Sequence, residues 1–175
     1  GVPELTDRQR RSRTALMVGS GLLLMLLIAI GEELVFRGYL LNNLLLQSKK
    51  EVALVVSALL FATFHSLNPG FNLSAFLNIL LAGLALGVNY IFTRNLFFSI
   101  CFHFSWNFFQ GPVLGFKVSG IELPTLLDQN SKQAVLLTGG EFGLEASWLT
   151  TIVMSLTVIT LYTLFQNIYK QHTVA

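Results

Sequence analysis

The chain consists mainly of long uncharged stretches separated by short polar segments. Asp, Glu, Lys and Arg are absent from residues 14–31, 52–93, 95–116 and 146–169. A helix needs about 20 apolar residues to cross a bilayer core, and the second run is long enough for two crossings. The pattern predicts helices over residues 14–47, 52–67, 73–92, 96–110 and 148–169. The predicted fold class is therefore an all-α, polytopic membrane protein, a bundle of about five membrane helices.

The composition supports this fold class, and the positions of the charged residues divide the chain into segments. Of the 175 residues, 53% are hydrophobic and 11% charged, whereas soluble domains carry about 25% charged residues. Arginines at positions 8, 10, 11 and 13 predict a basic juxtamembrane segment over residues 1–13, on the cytoplasmic side and facing lipid rather than nucleic acid. After this segment we predict an intramembrane core domain over residues 14–170 and a tail over residues 171–175. Because the sequence begins with Gly1, we expect further membrane helices upstream of it.

Charged residues interrupt the first apolar stretch in the sequence Gly-Glu-Glu-Leu-Val-Phe-Arg-Gly, residues 31–38. Ionisable side chains at membrane depth are costly unless they are paired or face water, so they indicate a functional site. Glu33 and Arg37 lie four residues apart on one helix face and are predicted to form an ion pair. Glu32 is rotated about 100° from Glu33 and has no basic residue one turn away. One glutamate is thus predicted to be structural and the other free.

Two further segments place polar side chains inside apolar helices. His65 lies near the end of the second predicted helix. When the chain folds back at the charged turn between the first two helices, His65 comes level with Leu34, so the histidine and the glutamates meet at one depth. His103 and Asn107 are four residues apart and point the same way. In lipid only protein or trapped water can satisfy such groups, so they are predicted to surround one polar intramembrane cavity.

Two further sequence features are the small residues of the third predicted helix and the single cysteine. Gly83 and Gly87 form a GxxxG motif, which allows a close approach between helices. Cys101 is the one cysteine, so an intrachain disulfide and a multi-cysteine metal cluster are excluded.

The polar residues of the predicted cavity suit hydrolysis by an activated water. Glu32 can act as general base, His65 can hold the water or share its proton, and His103 with Asn107 can donate hydrogen bonds to an oxyanion. The serines beside the two histidines in sequence are poor nucleophile candidates, because adjacent side chains on a helix diverge.

Three ordered motifs carry a family resemblance: Glu32-Glu33-x-x-x-Arg37, then Phe61-x-x-x-His65, then His103-x-x-x-Asn107. Together they resemble the CPBP family of intramembrane proteases, which includes the type II CAAX prenyl endopeptidases and bacteriocin self-immunity proteins. The resemblance covers residues 22–110 and implies an all-helical membrane core with the site open to one side.

The resemblance also implies roles for the motif residues. By position, Glu32 would be the base and His65 its partner on the water, with His103 and Asn107 stabilising the oxyanion. Glu33 and Arg37 would be supporting residues. The implied activity is that of an intramembrane endopeptidase.

The cofactor prediction is a preference for none, with zinc as the alternative. If zinc is present, its ligands would be His65, His103 and Glu32. The sequence lacks His-Glu-x-x-His, and an asparagine is a poor fourth ligand, which favours a glutamate–histidine activated water. The predicted partners are the lipid bilayer and a peptide or membrane-associated protein substrate, prenylated or not. The predicted location is a multi-pass integral membrane protein, in the cell membrane if the host is bacterial.

Three other functions compete with proteolysis. A non-catalytic peptide-binding or immunity protein of the same fold would keep its activity without Glu32. A proton-coupled transporter would need a continuous polar path, but the third and fifth predicted helices offer no charged residue for it. A haem protein with His65 and His103 as axial ligands would leave Glu32 and Arg37 unexplained.

Overall fold

The computed structural model of the protein describes residues 6–127, 129 and 134–172. Within these residues the structure is helical, and extended pairing is limited to one isolated bridge between Val118 and Ile121. Residues 1–5 of the predicted juxtamembrane segment and residues 173–175 of the predicted tail lie outside the described residues. The proposed domain boundaries stay a prediction.

The helices follow the apolar runs closely. In chain order they are α1 (Asp7–Glu33), a π-helix (Leu34–Leu41), α2 (Asn42–Gln47), α3 (Lys50–Phe64), a 3₁₀ turn (His65–Leu67), α4 (Leu73–Thr93), α5 (Phe97–Phe108), a second π-helix (Phe109–Val113), α6 (Val135–Thr138), 3₁₀ turns (Gly140–Phe142 and Leu144–Ala146) and α7 (Trp148–His172). Polar caps fix two starts: Thr6 and Gln9 form a capping box before α1, and the Asn72 side chain accepts from the backbone N–H of Ala75 in α4.

Four helices in the described part of the chain are long and apolar enough to cross a membrane: Ser12–Gln47, Lys50–Leu67, Leu73–Thr93 and Trp148–Ile168. The 12-residue α5 is shorter, even with its five-residue π-helical extension. It packs against α1 and α4. The prediction of a polytopic, all-helical membrane protein is confirmed.

The GxxxG pair brings α3 and α4 into close contact. A Cβ on Gly83 would lie 3.1 Å from the Cα of Ala58, and a Cβ on Gly87 would lie 2.5 Å from the Cδ1 of Leu54. The backbones approach this closely because neither glycine carries a side chain. The packing role predicted for the motif is confirmed.

A π-helix inside the first helical stretch was not predicted. The chain is helical without a break from Asp7 to Gln47, but residues Leu34–Leu41 have π-helical hydrogen bonding. Asn42 donates its backbone N–H to the carbonyl of Arg37, five residues back. Such widened turns are rare and are often found at functional sites. Here the π-helix directly follows Glu32 and Glu33 and contains Arg37.

The long polar connection after α5 folds back onto the helices. The Gln110 side chain donates to the Lys117 carbonyl at 2.7 Å, and the Gly120 N–H donates to the Phe142 carbonyl at 2.9 Å. Gly120 has a φ of 79° and packs directly on the Pro69 carbonyl, so any side chain here would be both strained and obstructed. The connection thereby supplies part of the wall of an interior cavity.

Candidate active site

Glu33 and Arg37 form the ion pair that helical spacing predicted. Glu33 Oε1 lies 2.7 Å from Arg37 Nη1, and both side chains are almost fully buried. Arg37 Nη2 also donates to the Gly83 carbonyl at 3.2 Å, and the guanidinium carbon lies 4.3 Å from the Phe61 ring centroid. A buried guanidinium needs this set of partners, because its charge cannot reach water.

The same carboxylate oxygen also holds His103, a contact that the sequence did not predict. His103 Nδ1 lies 2.9 Å from Glu33 Oε1. A carboxylate in an ion pair with Arg37 can only accept, so Nδ1 carries the proton and donates. In the neutral imidazole, Nε2 is then an acceptor. Glu33 therefore sets the tautomer and the orientation of His103.

His65 is oriented in the same manner by a backbone group. Its Nδ1 lies 2.8 Å from the Phe61 carbonyl, one turn earlier, which can only accept. The Phe61 ring also contacts the imidazole, with centroids 4.6 Å apart. Phe61 thus holds His65 with its carbonyl and ring while the same ring lies against Arg37. As in His103, Nε2 of neutral His65 is left as an acceptor.

Glu32 faces both free imidazole nitrogens. Its Oε2 lies 3.7 Å from His65 Nε2 and 3.8 Å from His103 Nε2. These separations are too long for direct hydrogen bonds, and Glu32 Oε2 is buried without a hydrogen-bond partner among the described residues. Polar atoms separated by this distance are commonly bridged by a water. The hairpin of the first two membrane helices does bring His65 and the glutamate motif to one depth, as predicted.

One cavity of about 290 Å³ is lined by Glu32, His65, His103 and Asn107. All four predicted catalytic residues thus come together, while Glu33 and Arg37 lie outside its lining, behind His103 and Phe61. The rest of the wall is mainly apolar and aromatic. A mostly apolar cavity with a few convergent polar groups is typical of a ligand or substrate site.

Polar residues of the cavity that the sequence analysis missed include Asn68, Asn78 and Thr150, together with two residues of the long connection. Ser119 and Glu145 belong to the connection between α5 and α7, and both line the cavity. Glu145 is flanked by Leu144 and Ala146, and this apolar setting is the one local sign that it is buried. The sequence offers no comparable sign for Ser119, because its placement depends on how the connection folds back.

A zinc site was the alternative prediction for the same residues. Two imidazole nitrogens and a carboxylate oxygen are donor types that zinc accepts. However, the described part of the chain contains no group of three or more His, Cys, Asp or Glu side chains arranged to hold a metal ion. The preference for a water without a metal stays a prediction.

Fold and site together define a polytopic helical membrane protein with ionisable side chains gathered in a buried cavity. A family model described as type II CAAX prenyl endopeptidase Rce1-like matches residues 14–109, which is more than half of the chain. The chain belongs to that family, and at the family level it is a CAAX-type intramembrane protease. A peptide or protein substrate at the membrane follows from this membership. Searches of curated proteins and of solved structures gave no match.

Proposed function

We propose that the protein is an intramembrane endopeptidase that hydrolyses a peptide bond with a water activated by Glu32 and His65. The observation that carries the proposal is the convergence of three acceptor atoms. Glu32 Oε2 lies within 3.8 Å of the Nε2 atoms of His65 and His103. Each histidine already donates its Nδ1 proton to another group, the Phe61 carbonyl for His65 and Glu33 for His103. Acceptors gathered around one point suit a molecule that brings its own protons, as water does.

Glu32 is the general base in this mechanism. The water donates one proton towards Glu32 Oε2 and the other towards an imidazole Nε2, while its oxygen attacks the carbonyl carbon of the substrate. Glu32 takes the proton as the C–O bond forms, and the carbonyl oxygen becomes an oxyanion. When the C–N bond breaks, the proton passes from Glu32 to the leaving amine, which gives a carboxylic acid and a free amine as products.

Asn107 is the oxyanion donor in the proposal, because its side-chain amide can donate without a change of protonation. His103 can donate from Nε2 only after it has gained a proton, since Nδ1–H is held by Glu33. We therefore propose that His103 takes part in the proton transfer. Its imidazolium form then stabilises the oxyanion. Glu33 stabilises that cation, as a buried carboxylate does for the imidazole of a catalytic triad.

The proposed substrate is a membrane-associated peptide or protein, because the cavity lies among membrane helices and its wall is mainly apolar. A prenylated substrate is one form of this proposal and requires a host that prenylates proteins, and location in the cell membrane applies if the host is bacterial. Comparing a farnesylated peptide with the same peptide lacking the lipid tests the first part. Fractionation of host membranes tests the second.

The decisive experiment compares host membranes that contain the wild type, Glu32→Gln or the control Glu51→Gln. Glu51 is an exposed carboxylate of α3, so its replacement controls for the loss of one negative charge. New peptide termini are identified by mass spectrometry. We expect the same termini with wild type and Glu51→Gln, and none of them with Glu32→Gln, because an amide cannot accept the proton of the water.

Two other results would contradict the proposal. Wild-type levels of the same termini with Glu32→Gln would remove Glu32 from the mechanism. If instead no termini depend on the protein, and Glu32→Gln keeps the biological effect of the wild type, the chain is a non-catalytic peptide-binding protein of the same fold.

A further inference from the structure

The cavity contains a second carboxylate that the proposed mechanism does not use. Glu145 lies in the 3₁₀ turn Leu144–Ala146, immediately before α7, and lines the same cavity as Glu32 and His103. Its side chain is 9% exposed. It belongs to none of the three motifs and lies beyond residues 14–109, the part that the family model covers.

Glu145 is held firmly in this position. Its Oε2 accepts hydrogen bonds from the Ser119 backbone N–H at 2.5 Å and from the Ser119 hydroxyl at 3.0 Å. Its backbone carbonyl accepts from the Asn78 side-chain amide of α4 at 2.8 Å. These bonds fix both the carboxylate and the turn that carries it, so the group is a built part of the cavity wall.

The groups around Glu145 offer its negative charge no lysine or arginine partner. Among the described residues no basic side chain forms an ion pair with it: Arg37 is bound to Glu33, and Lys117 is bound to Glu141. Buried carboxylates are normally paired with a cation, because burial without one is costly. Here burial raises the pKa of the carboxyl group to about 7, although the Ser119 hydrogen bonds act in the opposite direction.

The cavity as a whole favours a ligand that brings positive charge. Glu32 contributes a second carboxylate, and the neutral forms of His65 and His103 present acceptor nitrogens. An ammonium or guanidinium group would donate to these acceptors and would balance the charge of Glu145 in an environment where such pairs are strong.

We propose that Glu145 and Ser119 form a cation-binding subsite of the substrate cavity, which selects peptides that carry an ammonium or guanidinium group near the bond to be cleaved. The proposal rests on the proposed function in that the cavity is taken as the place where the substrate binds. Its test is a binding measurement, so failure of proteolysis and failure of the subsite are distinguishable.

The test uses hexylammonium, hexanol and hexanoate, which share one alkyl chain and differ in the charge of the head group. Trp106 lines the cavity, and the chain has two tryptophans, so a Trp148→Phe variant leaves Trp106 as the sole fluorescent reporter. Kd is measured in lipid nanodiscs at about pH 8, where Glu145 is ionised because its pKa is about 7. We expect hexylammonium to bind at least about tenfold more tightly than hexanol, and hexanoate most weakly.

Variants assign the preference to one carboxylate. Glu145→Gln keeps the shape and an acceptor for Ser119, and we expect the Kd values of hexylammonium and hexanol to become equal to within about twofold. Glu145→Asp should keep the preference, as should the control Glu141→Gln on the exposed surface of the same connection. Glu32→Gln should reduce the preference less than Glu145→Gln does, because Glu32 is only the second carboxylate of the cavity.

Three results would overturn the proposal. The first is equal binding of hexylammonium and hexanol by the wild type, which needs no variant of Glu145 to interpret. The second is a preference that persists in folded Glu145→Gln. The third is a preference that disappears in Glu32→Gln instead, which would place the cation at the catalytic glutamate.

Discussion

Adjacent residues of this chain have quite different surroundings, and the two glutamates at positions 32 and 33 show why. The Glu32 side chain is 31% exposed and faces the cavity, whereas Glu33 is fully buried between Arg37 and His103. The helix rotates about 100° per residue, so neighbours in sequence point in different directions. Glu32 therefore faces the groups of the cavity, whereas Glu33 fixes the positions of Arg37 and His103.

The first prediction is that replacing these two glutamates has different consequences. Glu32→Gln should abolish cleavage while the free energy of unfolding stays close to that of the wild type. Glu33→Gln leaves the buried Arg37 without an anionic partner, which should lower the free energy of unfolding by about 3–5 kcal/mol. Denaturant unfolding and peptide cleavage are measured on both variants. A fully stable, inactive Glu33→Gln together with an active Glu32→Gln would reverse the two roles.

The second prediction concerns Asn107, which is buried in the cavity wall. Loss of one preorganised oxyanion donor lowers kcat by about 10²–10³, or roughly 2.7–4 kcal/mol, with little change in KM. We expect this result for Asn107→Ala, measured as kcat per folded molecule. If Asn107 only joins helices, the variant should melt at a lower temperature while its folded fraction turns over normally.

The third prediction addresses the metal. Activity should survive thorough chelation, and the purified protein should contain far less than one zinc per chain, as measured by elemental analysis. A zinc site on His65, His103 and Glu32 would instead lose activity with chelator and regain it with added Zn²⁺. One zinc per chain that is lost in His65→Ala would contradict the water-only mechanism.

At the scale of whole elements, the position of α4 connects helix packing to the site. The Gly83 carbonyl accepts a hydrogen bond from Arg37, and the same glycine lets α3 approach α4. Arg37 in turn binds Glu33, which orients His103. The packing of α3 against α4 is therefore connected to the imidazole of His103 through a chain of direct contacts.

The fourth prediction follows from that chain of contacts. A side chain at Gly83 meets the backbone of Ala58 at 3.1 Å, so Gly83→Val should push α3 and α4 apart. We expect a loss of about 1–3 kcal/mol of stability, as is usual for overpacking, together with lower kcat. Gly19→Val is the matched control, since nothing lies within 4 Å of its Cβ position. Comparable activity and unfolding curves for the two variants would show that the site does not depend on this packing.

At the scale of the whole molecule, the connection between α5 and α7 and the membrane helices share one cavity. Glu145 joins them, since its carboxylate accepts from Ser119 and its carbonyl accepts from Asn78 of α4. Its protonation therefore bears on the stability of the whole assembly.

The fifth prediction is a pH dependence of stability that Glu145→Gln removes. Burial raises the pKa of Glu145 from 4.5 in the unfolded state to about 7 in the folded state. Between these two pH values, the folded state holds a proton that the unfolded state has released. This contribution is fully present below pH 4.5 and is lost as the pH rises to about 7. Its full size is roughly 3 kcal/mol, since one pKa unit corresponds to about 1.36 kcal/mol.

The measurement is the free energy of unfolding of wild type and Glu145→Gln across this pH range. Other titrating groups act on both proteins, so the difference between the two isolates Glu145. The wild type should lose stability relative to the variant as the pH rises. A constant difference would mean that Glu145 has the same pKa in the folded and unfolded states.

Local sequence was sufficient for the features that depend on neighbouring residues. The uncharged runs predicted the membrane helices, because spanning length and helical periodicity are properties of one segment. The Glu33–Arg37 ion pair followed from the i,i+4 spacing. The meeting of His65 with the glutamate motif followed from helix length and the position of a single turn. The roles of Glu32, His65, His103 and Asn107 in catalysis stay predictions.

Only the tertiary structure decided the features that join distant parts of the chain. His103 bonds to Glu33 across 70 positions, and Ser119 bonds to Glu145 across 26. The π-helix at Leu34–Leu41 carries no distinct periodicity in the sequence, because a widened turn is stabilised by what packs around it. The tautomer of His103 depends on Glu33, whereas that of His65 depends on the Phe61 carbonyl only four residues earlier. Helical spacing fixes which way a side chain points from its own helix, whereas its partner is fixed by how the helices pack.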